Sequence, residues 1–313
     1  MAVIILSSYA ADLVFGDPEW LPHPVRMMGR MISSLDRYLN TARSVLESRL
    51  RGFAMTCAAV GSSMFFTYLA IIFAGKIHPF LGLVVSVYFG YASLAVKDLG
   101  VKAASVYKAL SRGSLEESRR ELSKIVGRDT GNLTEEKIVT AAVESVAEST
   151  NDGIVAPLFY LAIGGPVLAV GYKAVNTLDS MVGHKDERYG DFGWSSARLD
   201  DIVNYLPARI TGILIATASL ILRKDFRHAF KIMRRDGARH ASPNSGVPEA
   251  AMAGALRIRV GGASTYQGEV VDKPYIGEPD AVVRPGLILQ SLNISFMVSL
   301  LAALIGAGFR WVL

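Results

Sequence analysis

Cysteine is almost absent from this sequence: Cys57 stands alone among 313 residues. One thiol excludes an intrachain disulfide, a cysteine-built zinc site and an iron–sulfur cluster held by a single chain. Its place inside an apolar run predicts a small core residue. Charged residues are also scarce, at 19% of the chain, fewer than a soluble domain usually carries. The common catalytic signatures are missing as well. No G-x-x-x-x-G-K-[ST] phosphate loop, no G-x-G-x-x-G after a strand and no H-E-x-x-H occurs. His23, His78, His184, His228 and His240 are scattered without metal-ligand spacing. There is no internal repeat, no low-complexity tract and no nucleic-acid motif.

What the chain does have is long apolar runs, and its mean hydropathy is +0.32. Residues 52–75 and 77–96 carry no charge and are separated by Lys76 alone. Each is long enough for a hydrocarbon core of about 30 Å, and together they predict a tight helical hairpin. Further runs lie at 1–16, 153–172, 202–222 and 286–309. The expected fold is all-α: a polytopic helical membrane protein with about four to six inserted helices, one domain over 1–313, and amphipathic helices in its cytoplasmic loops. The first run lacks a basic n-region and an Ala-x-Ala site, so it reads as a retained helix rather than a signal peptide.

The polar segments carry the positive charge. Segments 17–51, 97–152 and 223–285 are each rich in Lys and Arg, which points them to the cytoplasmic side and to anionic lipid rather than to nucleic acid. Amphipathic helices are expected over 27–50, 100–111 and 114–126, and Thr134 is a plausible cap for the helix after it. Segment 223–284 reads as a folded loop. Gly164-Gly165-Pro166 sits at the middle of the 153–172 run, where it breaks the helix into a re-entrant shape. If 153–172 and 202–222 both cross, the acid-rich segment 173–201 lies outside; if neither crosses, every polar loop is cytoplasmic. The second arrangement is favoured, because it brings Asp152 and Asp179 to the same side.

Acids and amides cluster around that broken run. Glu144, Glu148 and Asp152 recur every four residues, so on one helix they share a face. Asn176 and Asp179 share a face on the far side. Carboxylates beside an apolar segment are costly to desolvate, so they face a cavity, a cation or a polar ligand. With Asp200 and Asp201 they are hard oxygen donors suited to Mg²⁺ and a phosphate-bearing substrate. Asn151, Asn176, Ser180, Asn204 and Asn244 add amides and hydroxyls. Arg209, inside an apolar run, has open readings: snorkelling or pairing with Asp200, or holding an anionic phosphate. His23, between two prolines, is either a substrate contact or a hydrogen-bonded structural histidine.

GDPEWLPHPV, ESTNDGIVAPLFY, YKAVNTLDSMVGHKDERYGDFGWSSARLDDIVNYLPARITG and ASPNSGVPEAAMAGAL, followed by a Gly-Gly and a Tyr-x-Gly, occur in this order over about residues 12 to 268. They resemble the motifs of the CobD/CbiB family of cobalamin biosynthesis, the adenosylcobinamide-phosphate synthases. One departure is Ser149, where the family often has Asn. The resemblance implies a multi-pass enzyme of the cell (cytoplasmic) membrane, an acid–amine ligase. It would join adenosylcobyric acid to (R)-1-amino-2-propanol or its O-phosphate, with Mg²⁺ and with ATP as co-substrate. The corrinoid is then a substrate, not a bound cofactor, and other late corrinoid-pathway membrane enzymes are possible partners. Combined with the residues, this gives Glu144, Glu148, Asp152 and Asp179 as catalytic, and Glu148, Asp152 and Asp179 as holding the metal. Asp17, His23, Asn151, Asn176, Ser180, Asp200, Asp201, Arg209, Asn244, Ser245 and Glu249 are the substrate-binding candidates. The rival readings are a membrane transporter and a non-catalytic AmpE-like sensory protein.

Overall fold

Long apolar runs without interior proline have one way to satisfy their backbone in hydrocarbon, and that is helix. The computed structural model describes every residue except Glu19, Leu21, Arg43, Lys185, Gln267 and Leu313. Its elements in chain order are α1 (Ala2–Phe15), α2 (Pro24–Leu39), α3 (Val45–Ile77), α4 (Pro79–Tyr91), α5 (Val96–Ser111), α6 (Leu115–Leu122) and α7 (Glu135–Thr150). A π-helical turn (Asn151–Val155) leads into α8 (Ala156–Val182), then α9 (Trp194–Val203), α10 (Tyr205–Ile221), α11 (Phe226–Asp236) and α12 (Gly246–Leu256). Four short strands follow, β1 (Arg259–Val260), β2 (Ser264–Tyr266), β3 (Glu269–Val271) and β4 (Ile276–Gly277), before α13 (Gly286–Val312). The strands form two antiparallel pairs, β1 with β4 and β2 with β3.

The all-α polytopic class holds. Among the described residues, four helices are long and apolar enough to cross a bilayer: Val45–Ile77, Pro79–Ser111, Glu135–Val182 and Gly286–Val312. The bent pair Trp194–Val203 and Tyr205–Ile221 passes the same test together, while Ala2–Phe15 is a shorter apolar helix. The expected hairpin is present, with the chain turning at His78, whose side chain caps α4 by accepting from Phe80 N–H at 3.1 Å. Thr134 caps α7 by accepting from Lys137 N–H. Two expectations are corrected. Residues 27–50 are not one helix, because α2 ends at Leu39 and α3 starts at Val45 with Ser44 as its cap. Cys57 is exposed, on a helix whose apolar surface is mostly outward, so hydrophobicity there reports a lipid-facing side and not a core.

By its internal contacts the chain divides into two compact units: one of 1–95, 156–204 and 303–313, the other of 96–155 and 205–302. In the first, α2 buries Met28 and Ile32. Ile32 joins Met55, Ala59, Leu178, Val182 and Phe192 in a core shared by α2, α3 and α8. The Gly-Gly-Pro break is real: Gly164 and Gly165 have non-helical torsions inside α8, with Gly165 at φ 72°. Pro166 cannot donate to the carbonyl four residues back. That carbonyl, Ala162, and its neighbour Ile163 instead accept from the Arg310 guanidinium.

In the second unit, α12 is buried along its whole length, which its alanines and glycines permit by letting α7, α10 and α11 approach. Asp236 at the end of α11 is fully buried. It accepts from the Arg235 guanidinium at 2.8 and 2.7 Å, from Gly277 N–H at 2.9 Å, and lies 3.3 Å from Arg239. These partners tie α11 to β4 and hold the Asp236 carboxyl below the usual carboxylate range.

Candidate functional site

The second unit encloses a cavity of about 140 Å³ whose walls come from α7, α12, the turn after α6 and the β1–β4 region. Glu144 and Glu148, one turn apart on α7, both line it, as does Glu249 from the first turn of α12. Arg128, Lys273 and His240 supply the basic groups of the lining, so three carboxylates face two permanent cations.

Each acid has a different environment. Glu144 is buried at 7% exposure and would be costly alone. Its two oxygens accept from the Arg128 guanidinium and from Gly261 N–H at 2.5 Å. Arg128 also donates to Ser264 Oγ at 3.3 Å, and Lys137 Nζ donates to Gly261 O at 3.3 Å. The Gly261-Gly262 pair is required by this geometry: their φ values are 88° and 79°, and a Cβ on Gly261 would stand 2.4 Å from Pro274 O. Glu148 is exposed at the cavity mouth and accepts from Ser245 Oγ at 3.2 Å. Ser245 itself sits in a turn where Ser242 Oγ accepts from the Asn244 and Ser245 N–H groups at 3.2 and 3.3 Å.

Glu249 is 8% exposed. Burial, and after it the nearby charges of Glu144 and Glu148, push its carboxyl well above the ordinary range. His240 is shifted the other way, down, by burial and by Lys273. Its Nδ1 accepts from Ser242 N–H at 3.0 Å, which fixes the neutral tautomer with the proton on Nε2. A neutral ring donor, a high-pKa carboxyl and an exposed carboxylate can together bind a polar ligand and pass a proton.

Asp152 does not line this cavity among the described residues. The four-residue stripe stops at Glu148 because the chain enters the π turn at Asn151, where an extra residue per turn changes the facing. Pro157, just beyond, lacks the N–H that would close a regular turn on Gly153. The π turn gives Asn151 and Asp152 their own cluster: Asn151 Nδ2 donates to Asp152 Oδ1 at 2.7 Å, and Thr211 Oγ1 donates to Asn151 Oδ1 at 2.9 Å. Nearby on α10, Arg209 donates to Asn244 Oδ1 at 2.7 Å and stacks on Tyr205, its carbon 3.8 Å from the ring centre.

The remaining candidates belong to the first unit. Asp17 lies 3.3 Å from both His23 Nε2 and Arg26, and His23 is buried, as a structural histidine should be. Asn176, Asp179 and Ser180 follow one another along α8. Lys173 donates to Asn176 Oδ1 at 3.3 Å, and Ser180 Oγ donates to Asn176 O at 2.8 Å. Asp200 accepts from Asn204 Nδ2 at 2.9 Å, and Asn204 Oδ1 accepts from the Tyr172 hydroxyl at 3.0 Å. Asp201 pairs with Arg198 at 3.6 Å.

Sequence reasoning missed Arg128, His240, Tyr266 and Lys273, since Arg128, His240 and Lys273 are lone residues in turns or loops and Tyr266 ends a three-residue strand. Tyr266 alone had a signal, as the Tyr of the Tyr-x-Gly. Histidine and acids also converge at His228, Glu278 and Asp280, whose ligand atoms lie within 4.8 Å of one another. Those carboxylates are held by Arg235 and Arg257, so this is an ion-pair network apart from the cavity.

Comparison with known proteins places these residues in a family context. The family model described as CobD/Cbib protein matches residues 5–295. The chain is 47% identical to the cobalamin biosynthesis protein CobD of Geobacter metallireducens over 304 residues, covering 96% of this chain and 95% of that one. It is 45% identical to the Clostridium perfringens protein of the same name, covering 99% and 98%. The Klebsiella pneumoniae protein of that name is 42% identical, with 97% and 96% covered. No solved structure matches the chain.

Proposed function

The chain belongs to the CobD/CbiB family, and from that premise we propose that it is the membrane ligase that joins a corrinoid carboxylate to an aminopropanol amine at the expense of ATP. The observation that carries the reading is the cavity in which Glu144, Glu148 and Glu249 meet Arg128 and Lys273. A carboxylate does not condense with an amine at neutral pH. ATP supplies the activation: a carboxylate oxygen of adenosylcobyric acid takes the terminal phosphoryl group, ADP leaves, and the amine then displaces phosphate.

The donor set fits a hard divalent cation. Arg128 and Gly261 N–H already occupy Glu144, which leaves Glu148 as the oxygen donor, and Mg²⁺ takes only one or two carboxylates from protein beside substrate phosphates. When bound, Mg²⁺ neutralises charge on the transferring phosphoryl group. The metal set of the sequence reading is thus narrowed in this unit to Glu148, with Glu249 beside it. Glu249, with its raised carboxyl pKa, is matched to taking the proton from the substrate ammonium, which frees the amine to attack the acyl phosphate. Lys273 and Arg128 hold anionic oxygens, and the His240 Nε2–H donates to the substrate. The protein would work in the cytoplasmic membrane, with its cavity on the side where ATP is found.

The test uses purified protein in lipid nanodiscs with ATP, Mg²⁺, adenosylcobyric acid and (R)-1-amino-2-propanol O-phosphate. The expected product is a heavier corrinoid in the mass spectrum, with one ADP formed for each amide. A correctly inserted protein that leaves the corrinoid mass unchanged with either amine would refute the proposal.

A further inference from the structure

The cavity of about 140 Å³ is too small to enclose a whole nucleotide. A second, larger space lies in the first unit, against α2. It is an open groove of about 790 Å³. Arg26, Arg30, Ser33, Ser34 and Arg37 line it from one stripe of α2, and Met181 of α8 packs against that stripe at Gly29. The spacing explains the stripe: residues 26, 30, 33, 34 and 37 recur at helical intervals on one face. The opposite face buries Met28, Ile32 and Asp36, so the core fixes which way the arginines point.

The helix carries on directly from the family-like residues 16–25, which the acidic cavity does not use, and the family-like 172–201 stretch supplies Met181. The contact is close, since a Cβ on Gly29 would stand 3.7 Å from Met181 Sδ. The 186–191 turn also docks on this helix: Arg188 and the Tyr189 hydroxyl donate to Asp36 Oδ2 at 2.7 and 3.2 Å. No carboxylate lines the groove among the described residues. Arg26 is partly occupied, donating to Pro18 O at 2.8 Å and to Asp17 at 3.3 Å, while Arg30 and Arg37 are exposed.

We propose that this arginine groove is a binding site for a phosphate group, with Arg30 and Arg37 as the charged anchors, Arg26 positioned by Asp17, and the Ser33 hydroxyl as a further donor, the Ser34 hydroxyl being held by the Arg30 carbonyl at 2.9 Å. Guanidinium groups suit phosphate because their forked N–H groups match its oxygens. Two sources share that chemistry: a soluble phosphate such as ATP or an aminopropanol phosphate, and the headgroup of an anionic lipid. The first source rests on the ligase reading; the second does not.

Binding, not turnover, tests it, so its failure is separable from failure of the ligase reading. Wild-type protein and the double variant Arg30→Gln/Arg37→Gln are compared in zwitterionic nanodiscs for affinity toward ATP without metal and toward inorganic phosphate. Native mass spectrometry then follows phosphatidylglycerol in the same two proteins. For a soluble source, ATP affinity falls at least about tenfold in the variant and weakens with added salt. For a lipid source, wild type retains phosphatidylglycerol and the variant does not, with no change in ATP affinity. The charge-keeping Arg30→Lys/Arg37→Lys variant should recover part of either signal. Equal ATP affinity and equal lipid retention in wild type and a folded Gln variant would overturn the proposal.

Discussion

Asp236 and Glu249 are both buried carboxylates of the same unit, 0% and 8% exposed, and the fold treats them in opposite ways. Around Asp236 sit Arg235, Arg239 and the Gly277 N–H, and its carboxyl is held below the usual range. Around Glu249 sit two more glutamates, and its carboxyl is pushed up. The first arrangement offsets burial with partners and ties a helix to a strand. The second leaves a charge the fold alone does not want, which is what a group waiting for a ligand or a proton looks like. Stability and chemistry have been put into neighbouring elements by choosing different company for the same functional group.

The comparison is broken most directly by removing each carboxylate's charge. Glu148→Gln and Glu249→Gln should each lower amide formation by at least about a hundredfold, as loss of a metal-holding or proton-transfer group does. Neither should lower the melting temperature in detergent. A Glu249→Gln protein with near-wild-type turnover removes that residue from the mechanism. Asp236→Asn should do the reverse. It removes the negative charge that Arg235 and Arg239 share and turns one accepting oxygen into a donor facing them, costs on the order of 3 kcal/mol, and lowers the melting temperature, while kcat per folded molecule stays unchanged.

How much of this contrast was legible beforehand depends on the length of the signal. The hairpin at Lys76 to His78, the capped start of α7 and the Gly164–Pro166 break were readable because apolar runs, caps and prolines act locally. The pairing of Glu144 with Glu148 was readable from their four-residue spacing. Asp152 falls just past that stripe, in the π turn of Asn151–Val155, which four-residue spacing does not reveal. Arg128 and Lys273 come to the cavity through the docking of loops more than a hundred residues apart in sequence, and a lone basic residue in a turn carries no mark of its partner. Asp236 and Glu249 look alike in sequence, each an acid beside a helix end. Only their neighbours separate them.

Titration sharpens the comparison further, with opposite signs. Asp236 has a depressed folded pKa, so its stabilisation is present above the unfolded value, about 3.9, and is lost as pH falls through the folded one. The gap in melting temperature between wild type and Asp236→Asn should therefore close on acidification below about pH 4. Glu249 has a raised folded pKa, so its native state is penalised as pH climbs past the unfolded value of about 4.3. Glu249→Gln should gain on wild type as pH goes from 4 toward neutral. Parallel curves for the two variants would show that the two carboxylates are not in different environments.

The smallest effect concerns Ser245, which links the turn before α12 to the exposed Glu148 through one hydrogen bond of 3.2 Å. An exposed hydrogen bond of this kind is worth about 1 kcal/mol, and Ser242 already supports the Ser245 backbone through its own hydroxyl. Ser245→Ala should thus leave the melting temperature within about a degree or two and reduce kcat by about fivefold, because Glu148 loses the contact that orients it, not its charge. Ser245→Thr keeps a hydroxyl and should restore most of the rate. If Ala and Thr reduce kcat equally, the hydroxyl does not orient Glu148. The division between structural and chemical carboxylates would then run through Glu148 and Glu249 without help from this turn.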